Sequence, residues 1–229
     1  MNTITQPISC GEALIALLER YDVDTVFGIP GVHTLDLYRG LANSTIRHIQ
    51  ARNEQGAGFM ADGYARLSGR PGVCVLISGP GVTNACTAMG QSFADSIPVL
   101  VISSTTASNS LGKGWGCLHE VTDLEAVTRP LTALSATASS ADEIEELIGQ
   151  AFAIFASERP RPVHIAIPID VLATPVIDTW QRRAEPARPA PDLLEIRKAA
   201  ALLRQAKRPL IYVGGGAVST VPVSGMRAA

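Results

Sequence analysis

Residues 72–77 form an apolar run in which the only polar group is one thiol. A strand with one face in water alternates apolar and polar residues, so a uniform run is typical of a strand covered on both faces. Residues 98–102 and 163–167 have nearly the same character, and segments of helical length separate the three runs. Because helical crossovers join parallel strands and cover the sheet, this alternation predicts an α/β fold, an open parallel sheet with helices on both faces.

The remaining segments of the first two thirds of the chain fit this alternation. Ser9 and Glu12 have the spacing of a capping box, which predicts a helix that begins directly after Ser9. Ile144, Leu147 and Ile148 lie on one helical stripe, which predicts a helix over residues 141–156. Periodicity also predicts helices over residues 35–41, 54–67 and 82–94, strands over residues 25–29 and 46–50, and a polar loop over residues 103–116.

The composition of the chain changes after Leu172. Residues 173–192 contain Pro175, Pro186, Pro189 and Pro191, which is typical of an extended surface linker. A helix over 194–205, a strand over 209–213 and a glycine turn over 214–216 follow, and residues 219–229 have no pattern. One helix and one strand cannot close a core. We therefore expect a first domain over residues 1–172, a linker over 173–192, and the truncated start of a second, central α/β domain over 193–229.

Charge and cysteine usage limit the partners and the compartment. The formal net charge is -2 and the basic residues are scattered, so neither a nucleic-acid nor a membrane partner is expected. The four cysteines form no CxxC pair, which fits a reducing compartment. The first nine residues lack the pattern of a signal peptide, and the apolar runs are too short to span a bilayer. We expect a soluble, cytoplasmic protein.

Glycine-rich turns follow two of the predicted strands. They are Gly28-Ile29-Pro30-Gly31 and Ser78-Gly79-Pro80-Gly81, and a third loop follows Ile102. Each alone could be only a tight connection between a strand and a helix. In an open parallel sheet, however, ligands bind where strands end and helices begin. Three such junctions on one edge therefore favour a binding site there.

Glu54 stands between a predicted strand and a helix rich in small residues. A carboxylate at this position could reflect only the charge preference of a helix N-terminus. Yet Gly56, Gly58 and Gly63 disfavour a helix, so their presence indicates close packing against another surface. A carboxylate held at the start of a tightly packed helix suits acid–base chemistry.

Six motifs occur in one order and spacing between about Gly11 and Val171. They are Phe27-Gly28-Ile29-Pro30-Gly31, Arg52-x-Glu54-Gln55, Ala61-Asp62-Gly63-Tyr64-Ala65-Arg66, Ser78-Gly79-Pro80-Gly81-Val82-Thr83-Asn84, Asp95-Ser96-Ile97-Pro98 and Arg161-Pro162-Val163. In this arrangement the chain resembles the N-terminal, pyrimidine-binding domain of thiamine-diphosphate-dependent enzymes of the acetolactate synthase and 2-oxo-acid decarboxylase type.

The resemblance implies roles for individual residues. Glu54 would be the catalytic glutamate that hydrogen-bonds a ring nitrogen of the aminopyrimidine and activates the cofactor. Pro30, Gly31, Pro80 and Asn84 would bind the cofactor around the pyrimidine. Asn53 departs from the family, which usually has His beside the glutamate.

The segment Leu118-His119-Glu120 stands where acetolactate synthases usually have Phe-Gln-Glu. The sequence of residues 112–120 is more similar to that of the 5-guanidino-2-oxopentanoate decarboxylases. His119 could then be a catalytic proton donor or a substrate contact, or simply a solvated loop side chain. A guanidinium substrate would favour a carboxylate partner, for which Glu120 and Asp123 are both candidates.

The family's diphosphate and Mg²⁺ site, a Gly-Asp-Gly with a downstream Asn in another domain, is absent from this sequence, so no metal ligands are assigned. The only similar segment, Ala61-Asp62-Gly63, belongs to the Glu54 helix. The family's cofactor lies between two chains, which implies a homodimer or higher oligomer, or a partner chain that carries the diphosphate-binding domain. The domain that would hold FAD is not among the matched motifs.

The resulting functional hypothesis is thiamine-diphosphate-dependent decarboxylation, or carboligation, of a 2-oxo acid, and the expected substrate is 5-guanidino-2-oxopentanoate. The chain is expected to be an incomplete form of such an enzyme. The alternatives are an acetolactate synthase-like enzyme acting on pyruvate, a non-catalytic truncated remnant, and an unrelated nucleotide-binding module. Residues 214–219 lack the final glycine of a dinucleotide fingerprint, which argues against the last of these.

Overall fold

A computed structural model describes residues 6–218, and the chain divides into two compact units, Met1–Arg188 and Pro189–Ala229. The strands of the first unit are β1 (Ile8–Ser9), β2 (Thr25–Gly28), β3 (Arg47–Gln50), β4 (Gly72–Leu76), β5 (Val99–Thr105), β6 (Leu134–Thr137), β7 (Val163–Pro168) and β8 (Pro175–Val176). Six of them form one sheet in which every pair of neighbours is parallel, in the order β3-β2-β4-β5-β7-β6.

Helices cover both faces of the sheet, which confirms the predicted α/β class. They are α1 (Cys10–Arg20), α2 (Leu35–Ala42), α3 (Glu54–Ser68), α4 (Pro80–Asp95), α5 (Leu124–Thr128), α6 (Ala141–Ser157) and α7 (Ile169–Leu172), with α8 (Leu193–Gln205) and α9 (Gly215–Val218) in the second unit. One core cluster joins the sheet to α1, α2 and α6. A second cluster joins its other face to α3 and α4. The unit is therefore a three-layer sandwich.

The start of α1 agrees with the prediction, whereas two other element ends differ by about two residues. The capping box forms as predicted, since Ser9 Oγ accepts from the Glu12 amide at 3.3 Å and Glu12 Oε2 accepts from the Ser9 amide at 2.9 Å. Helix α4 begins at Pro80 rather than at residue 82, because proline suits the first position of a helix. Strand β5 continues to Thr105, so the polar loop begins later than residue 103.

The strand order creates a switch point between β2 and β4. From β2 the chain passes through α2 to β3 on one side, and α3 then carries it back to β4 on the other side. The two helices therefore leave the edge in different directions and open a crevice at the carboxyl ends of β2 and β4. The loops after β2, β3 and β4 all reach this crevice.

The segment expected to be a linker is attached to the first unit over most of its length. Strand β8 pairs antiparallel with β1, and Asp178 accepts two hydrogen bonds from the Arg20 guanidinium, at 2.7 and 2.6 Å. Trp180 is only 5% exposed. Proline prevents central strand pairing but leaves these side-chain anchors intact. The first unit thus extends to Arg188, beyond the boundary expected at residue 172.

The second unit begins with the predicted helix, which is α8. The predicted strand over residues 209–213 is wrong, since these residues adopt no regular secondary structure and pair with no strand among residues 6–218. A lone apolar segment has no ladder of hydrogen bonds to join. The predicted glycine turn is also wrong, because helix α9 begins at Gly215. Residues 219–229, expected to be patternless, lie outside the described residues.

Asp62 joins α3 to α4 from a nearly buried position, with 6% of its surface exposed. Its carboxylate accepts from Arg66 Nε at 2.6 Å and from Ser92 Oγ at 2.7 Å. Arg66 also donates to Asp95 at 2.7 Å. Asp62, which belongs to one of the motifs shared with the family, is therefore a structural joint that holds α3 against α4. Both of its carboxylate oxygens already accept hydrogen bonds from the protein.

We expect Asp62→Asn to lower the free energy of unfolding by about 1–3 kcal/mol, because the amide has one oxygen acceptor where the carboxylate has two, and it lacks the charge that pairs with Arg66. Glu125→Gln is the matched control, since Glu125 forms an exposed pair with Arg129 four residues along the same short segment. That substitution should cost less than about 1 kcal/mol. Urea denaturation of both variants measures the difference, and equal losses would contradict the assigned role of Asp62.

His164 is fully buried in β7, with Nε2 2.8 Å from Ser103 Oγ and Nδ1 2.8 Å from Thr128 Oγ1. Burial lowers the pKa of His164 from the ordinary value of 6.5 to about 4. Between these values the unfolded chain binds a proton that the folded chain does not. The stabilisation is therefore complete above pH 6.5 and is lost as the pH falls towards 4.

We expect His164 to contribute an acid-dependent loss of stability on the order of 3 kcal/mol between neutral pH and about pH 4. His164→Gln retains polar contacts but cannot titrate, so its unfolding free energy should depend less steeply on pH. Chemical denaturation at several pH values checks this slope. Identical slopes for both proteins would mean that His164 does not control acid stability.

Candidate active site

The carboxyl edge of the sheet is built by a close approach of β2 to β4. Gly28 is paired with Val75, and a Cβ on Gly28 would lie 2.1 Å from the Val75 carbonyl oxygen. Only glycine fits this position. Gly31 and Gly81 approach opposite parts of the Ile77 side chain, where an added Cβ would lie 2.6 and 2.7 Å away, respectively. The glycines of the two predicted turns thus bring the turns after β2 and β4 together.

Glu54 is the first residue of α3 and is half-buried at this edge. Asn84 Nδ2 donates to Glu54 Oε2 at 2.9 Å. Within residues 6–218, Oε1 of Glu54 accepts no hydrogen bond from the protein. The N-terminus of α3 also favours a negative charge at this point. The arrangement therefore presents one fixed, unused carboxylate oxygen.

The neighbours of Glu54 explain its position. Asn53, which replaces the family's usual His, caps α3 by accepting from the Gln55 amide at 2.8 Å. A Cβ added to Gly58 would lie 2.6 Å from Ala88 Cβ, so α3 and α4 pack closely, as the small residues predicted. Gly56 and Gly63 differ, because a Cβ at either position would meet no atom within 4 Å in the described part of the chain.

The other residues predicted to bind the cofactor surround Glu54. Asn84 contacts it directly, and a Cβ on Gly81 would lie 3.8 Å from Glu54 Cγ. Pro30 and Gly31 form the turn after β2, and Pro80 begins α4; both prolines are exposed. Two turns and one helix N-terminus therefore meet around a single carboxylate.

His119 reaches the same turn from the loop that follows β5. Its backbone has a φ of 58°, and its carbonyl oxygen accepts from Ser78 Oγ at 3.3 Å. A Cβ on Gly79 would lie 2.3 Å from that oxygen. The turn of residues 78–81 thus lies between His119 and Glu54.

His33 was not among the predicted site residues, and the structure places it beside His119. The ring centroids are 5.9 Å apart, and His33 Nδ1 lies 3.3 Å from Ser78 Oγ. Desolvation, and then the nearby charge of His119, lower the pKa of His33 below its ordinary value. Its position two residues after the Pro30-Gly31 turn is the signal by which it could have been found.

The loop of residues 111–120 is folded around Glu120. The carboxylate accepts from the amides of Gly114 at 2.9 Å, Gly116 at 2.6 Å and Cys117 at 2.9 Å. Desolvation acts to raise the pKa of Glu120, but hydrogen bonds from Cys117, Gly116, Gly114 and Trp115 outweigh it, and the pKa lies below its ordinary value. Asp123 caps α5 by accepting from the Ala126 amide at 2.8 Å. Both candidate partners for a guanidinium therefore bind their own backbone.

Two cavities lie at opposite edges of the sheet. One of about 220 Å³ borders His33 and the loop of residues 111–120, at the carboxyl edge. Another of about 630 Å³ is lined by Asp24, Pro71 and Pro98, which precede strands at the amino edge. Because ligands of open parallel sheets bind at the carboxyl edge, the smaller cavity belongs to the candidate site.

Among residues 6–218, no cluster of three or more His, Cys, Asp or Glu side chains is arranged to hold a metal ion. No helix in this part of the chain is long and apolar enough to cross a membrane.

The curated relatives of this chain include a decarboxylase and several acetolactate synthases. A probable 2-ketoarginine decarboxylase of Pseudomonas aeruginosa is 60% identical over 214 residues, which cover 93% of this chain and 38% of that protein. The large subunit of acetolactate synthase isozyme 1 of Escherichia coli is 41% identical over 91% of this chain and 37% of that protein. An acetolactate synthase of Mycobacterium bovis is 38% identical over 93% and 35%, respectively. The chain thus spans little more than a third of the length of these relatives.

The family profile described as "Thiamine pyrophosphate enzyme, N-terminal TPP binding domain" matches residues 8–127. The match includes β2, β3 and β4, the turns that follow them, and both Glu54 and Asn84. It covers more than half of the chain and ends within α5. The chain therefore belongs to the thiamine pyrophosphate enzyme family, and the edge that carries Glu54 lies within its N-terminal cofactor-binding domain.

Proposed function

We propose that this chain forms the pyrimidine-binding wall of a thiamine-diphosphate-dependent enzyme that decarboxylates 5-guanidino-2-oxopentanoate. The observation that carries the proposal is Oε1 of Glu54, which accepts no hydrogen bond from residues 6–218. Glu54 lies at the switch point of the sheet, its other oxygen is fixed by Asn84, and the N-terminus of α3 favours its charge. Such a carboxylate can accept a hydrogen bond from a protonated ring nitrogen.

The surroundings of Glu54 fit an aromatic ring. Gly31 and Gly81 present backbone where any side chain would collide with Ile77, so a flat group can lie close to both turns. Pro30 and Pro80 are exposed beside them. When bound, thiamine diphosphate supplies an electron sink for the loss of carbon dioxide from a 2-oxo acid.

Each of four side chains would have its own role in the reaction: Glu54, Asn84, His33 and His119. Glu54 would hold a proton between Oε1 and the ring nitrogen, while Asn84 prevents the carboxylate from rotating. His119 and His33 lie on the other side of the turn of residues 78–81, where one of them can donate a proton to the reacting part of the substrate. Of the two, His119 is the one expected from the sequence.

Support for the substrate comes from the relative that is 60% identical, whose name specifies 2-ketoarginine, which is the same compound. The acetolactate synthases, whose substrate would be pyruvate, are 38–41% identical. The loop of residues 111–120 also differs from their usual Phe-Gln-Glu at Leu118 and His119. Acetolactate synthesis from pyruvate is therefore the second candidate function.

The proposal also includes a second chain. The diphosphate and Mg²⁺ ligands of the family would come from another domain, since Asp62 is occupied within the α3–α4 joint. One stripe of α3 supports a contact between copies. Gly56, Phe59, Gly63 and Leu67 lie on it, with Phe59 41% and Leu67 93% exposed. We propose that this stripe packs against a second subunit in a homodimer or higher oligomer.

A chimera gives the direct test. Residues 8–188 of this chain would replace the aligned segment of the Pseudomonas aeruginosa relative, whose remainder supplies the other walls. With thiamine diphosphate and Mg²⁺, we expect decarboxylation of 5-guanidino-2-oxopentanoate, and only weak activity with pyruvate. The isolated 229-residue chain should show no turnover.

In the chimera, Glu54→Gln should lower kcat about 100-fold or more, because the amide cannot carry the charge that stabilises a protonated ring nitrogen. Asn84→Ala should have a smaller effect, since Glu54 itself remains. Glu125→Gln is a control for the same chemical change far from the site. Full activity of the Glu54→Gln chimera would refute the proposed role, and a preference for pyruvate would favour the second candidate function.

A further inference from the structure

The cavity at the carboxyl edge is small and mostly apolar. Its volume is about 220 Å³, below the range of about 300–1,000 Å³ that is usual for whole ligand pockets. It therefore suits one end of a small molecule. Its lining includes His33, Asn109, Trp115, Cys117, Leu118 and Ile169, and no carboxylate.

The acidic residues nearest to this cavity are already engaged by the protein. Both oxygens of Glu120 accept backbone amides of the loop. Asp123 caps α5. Asp170, next to the lining residue Ile169, accepts from the amide of Ser108 at 2.9 Å and from its hydroxyl at 3.1 Å. These hydrogen bonds hold the three carboxylates at their own backbone, and none of the three lines the cavity, so the lining offers a cation a different kind of partner.

Trp115 supplies such a partner. It lines the cavity and is 65% exposed, and no cation or aromatic ring is stacked on its indole within the described part of the chain. An aromatic face attracts a cation, and tryptophan does so most strongly. Guanidinium is planar and weakly hydrated, so it stacks on an indole more readily than an ammonium does.

We infer that Trp115 binds the guanidinium end of the substrate through a cation–π contact, and that Trp115, not a carboxylate, selects the cationic 2-oxo acid. This inference rests on the proposed function. The loop that carries Trp115 is joined through the His119 carbonyl to Ser78. A substrate with its oxo-acid end beside the turn of residues 78–81 can therefore extend its tail into the cavity.

Glu120 has a positioning role in the same arrangement. Gly112, Gly114 and Gly116 all have positive φ, between 66° and 74°, so the loop adopts a path that other residues disfavour. The amides that this path turns inwards are gathered by the Glu120 carboxylate, in the manner of an anion nest. Glu120 thereby fixes the segment that contains Trp115 without contacting the substrate.

The test uses the full chain and two tail groups of nearly equal shape. The tail of 5-guanidino-2-oxopentanoate is a cation, whereas the ureido tail of 5-ureido-2-oxopentanoate is neutral. Each is titrated while the two indole N–H resonances are followed by NMR; Trp180, which is 5% exposed, is the internal reference. We expect the Trp115 resonance to shift and the guanidino compound to bind about 3- to 30-fold more tightly.

Matched variants separate the aromatic face from other contacts. Trp115→Phe should retain part of the preference for the guanidino compound, and Trp115→Leu should remove it, with binding followed by calorimetry. Asp170→Asn should retain the preference in full. An unchanged preference in Trp115→Leu, or loss of the preference in Asp170→Asn alone, would overturn the inference in favour of a carboxylate partner.

A parallel titration with thiamine diphosphate separates this inference from the proposed function. Shifts of the Gln55 and Gly81 amides that disappear in Glu54→Gln would support the cofactor wall. If those shifts occur and the guanidino preference does not, only the role of Trp115 fails. If neither is observed, the proposed function fails together with the inference.

Discussion

The close approach of β2 to β4 at Gly28 is the constraint on which the rest of the site depends. Because no side chain fits between Gly28 and the Val75 carbonyl, the two strands can pair directly across the switch point. The turns that follow them then share one apolar contact, the Ile77 side chain, against Gly31 and Gly81. Since β3 lies on the other side of β2, the α3 crossover must begin beside these turns, and Glu54 is its first residue. The position of the carboxylate is thus a consequence of strand order.

Much of this arrangement could be predicted from the sequence, because the buried strands are uniformly apolar and the turns contain glycine and proline. The family motifs added the expected roles of Glu54 as the activating carboxylate and of Asn84 as a cofactor contact, but not the hydrogen bond between them. Strand β6 was missed, since Leu134–Thr137 is short, half-buried and only partly apolar. His33 was missed because its significance depends on His119, which is brought to it from another loop. Residues 173–188 pack on the first unit although their sequence predicts a linker, because a proline-rich sequence does not reveal anchors such as Asp178 and Trp180.

The shared motifs serve two different purposes. The turns at Gly28 and Gly79, with Glu54 and Asn84, form the candidate site at the carboxyl edge of the sheet. Other motif residues hold the layers together at a distance from it. Arg66 links Asp62 to Asp95, and the Arg161 guanidinium stacks at 3.9 Å on the Phe93 ring. A match to the whole set therefore indicates both the fold and the cofactor-binding edge, whereas a match to the second group alone would indicate only the fold.

The use of carboxylate oxygens distinguishes Glu54 from Asp62 and Glu120, two other acidic residues that the sequence singled out. Asp62 receives Arg66 and Ser92, and both oxygens of Glu120 receive backbone amides. Each of these carboxylates satisfies donors that folding would otherwise leave unpaired, so it stabilises the structure but has little capacity left for a ligand. In the part of the chain that the structure describes, Glu54 accepts one hydrogen bond, from Asn84, which orients it and leaves Oε1 available. An acidic residue that is held firmly but incompletely satisfied is what a proton-transfer site requires, and a sequence motif cannot distinguish this state from a saturated one.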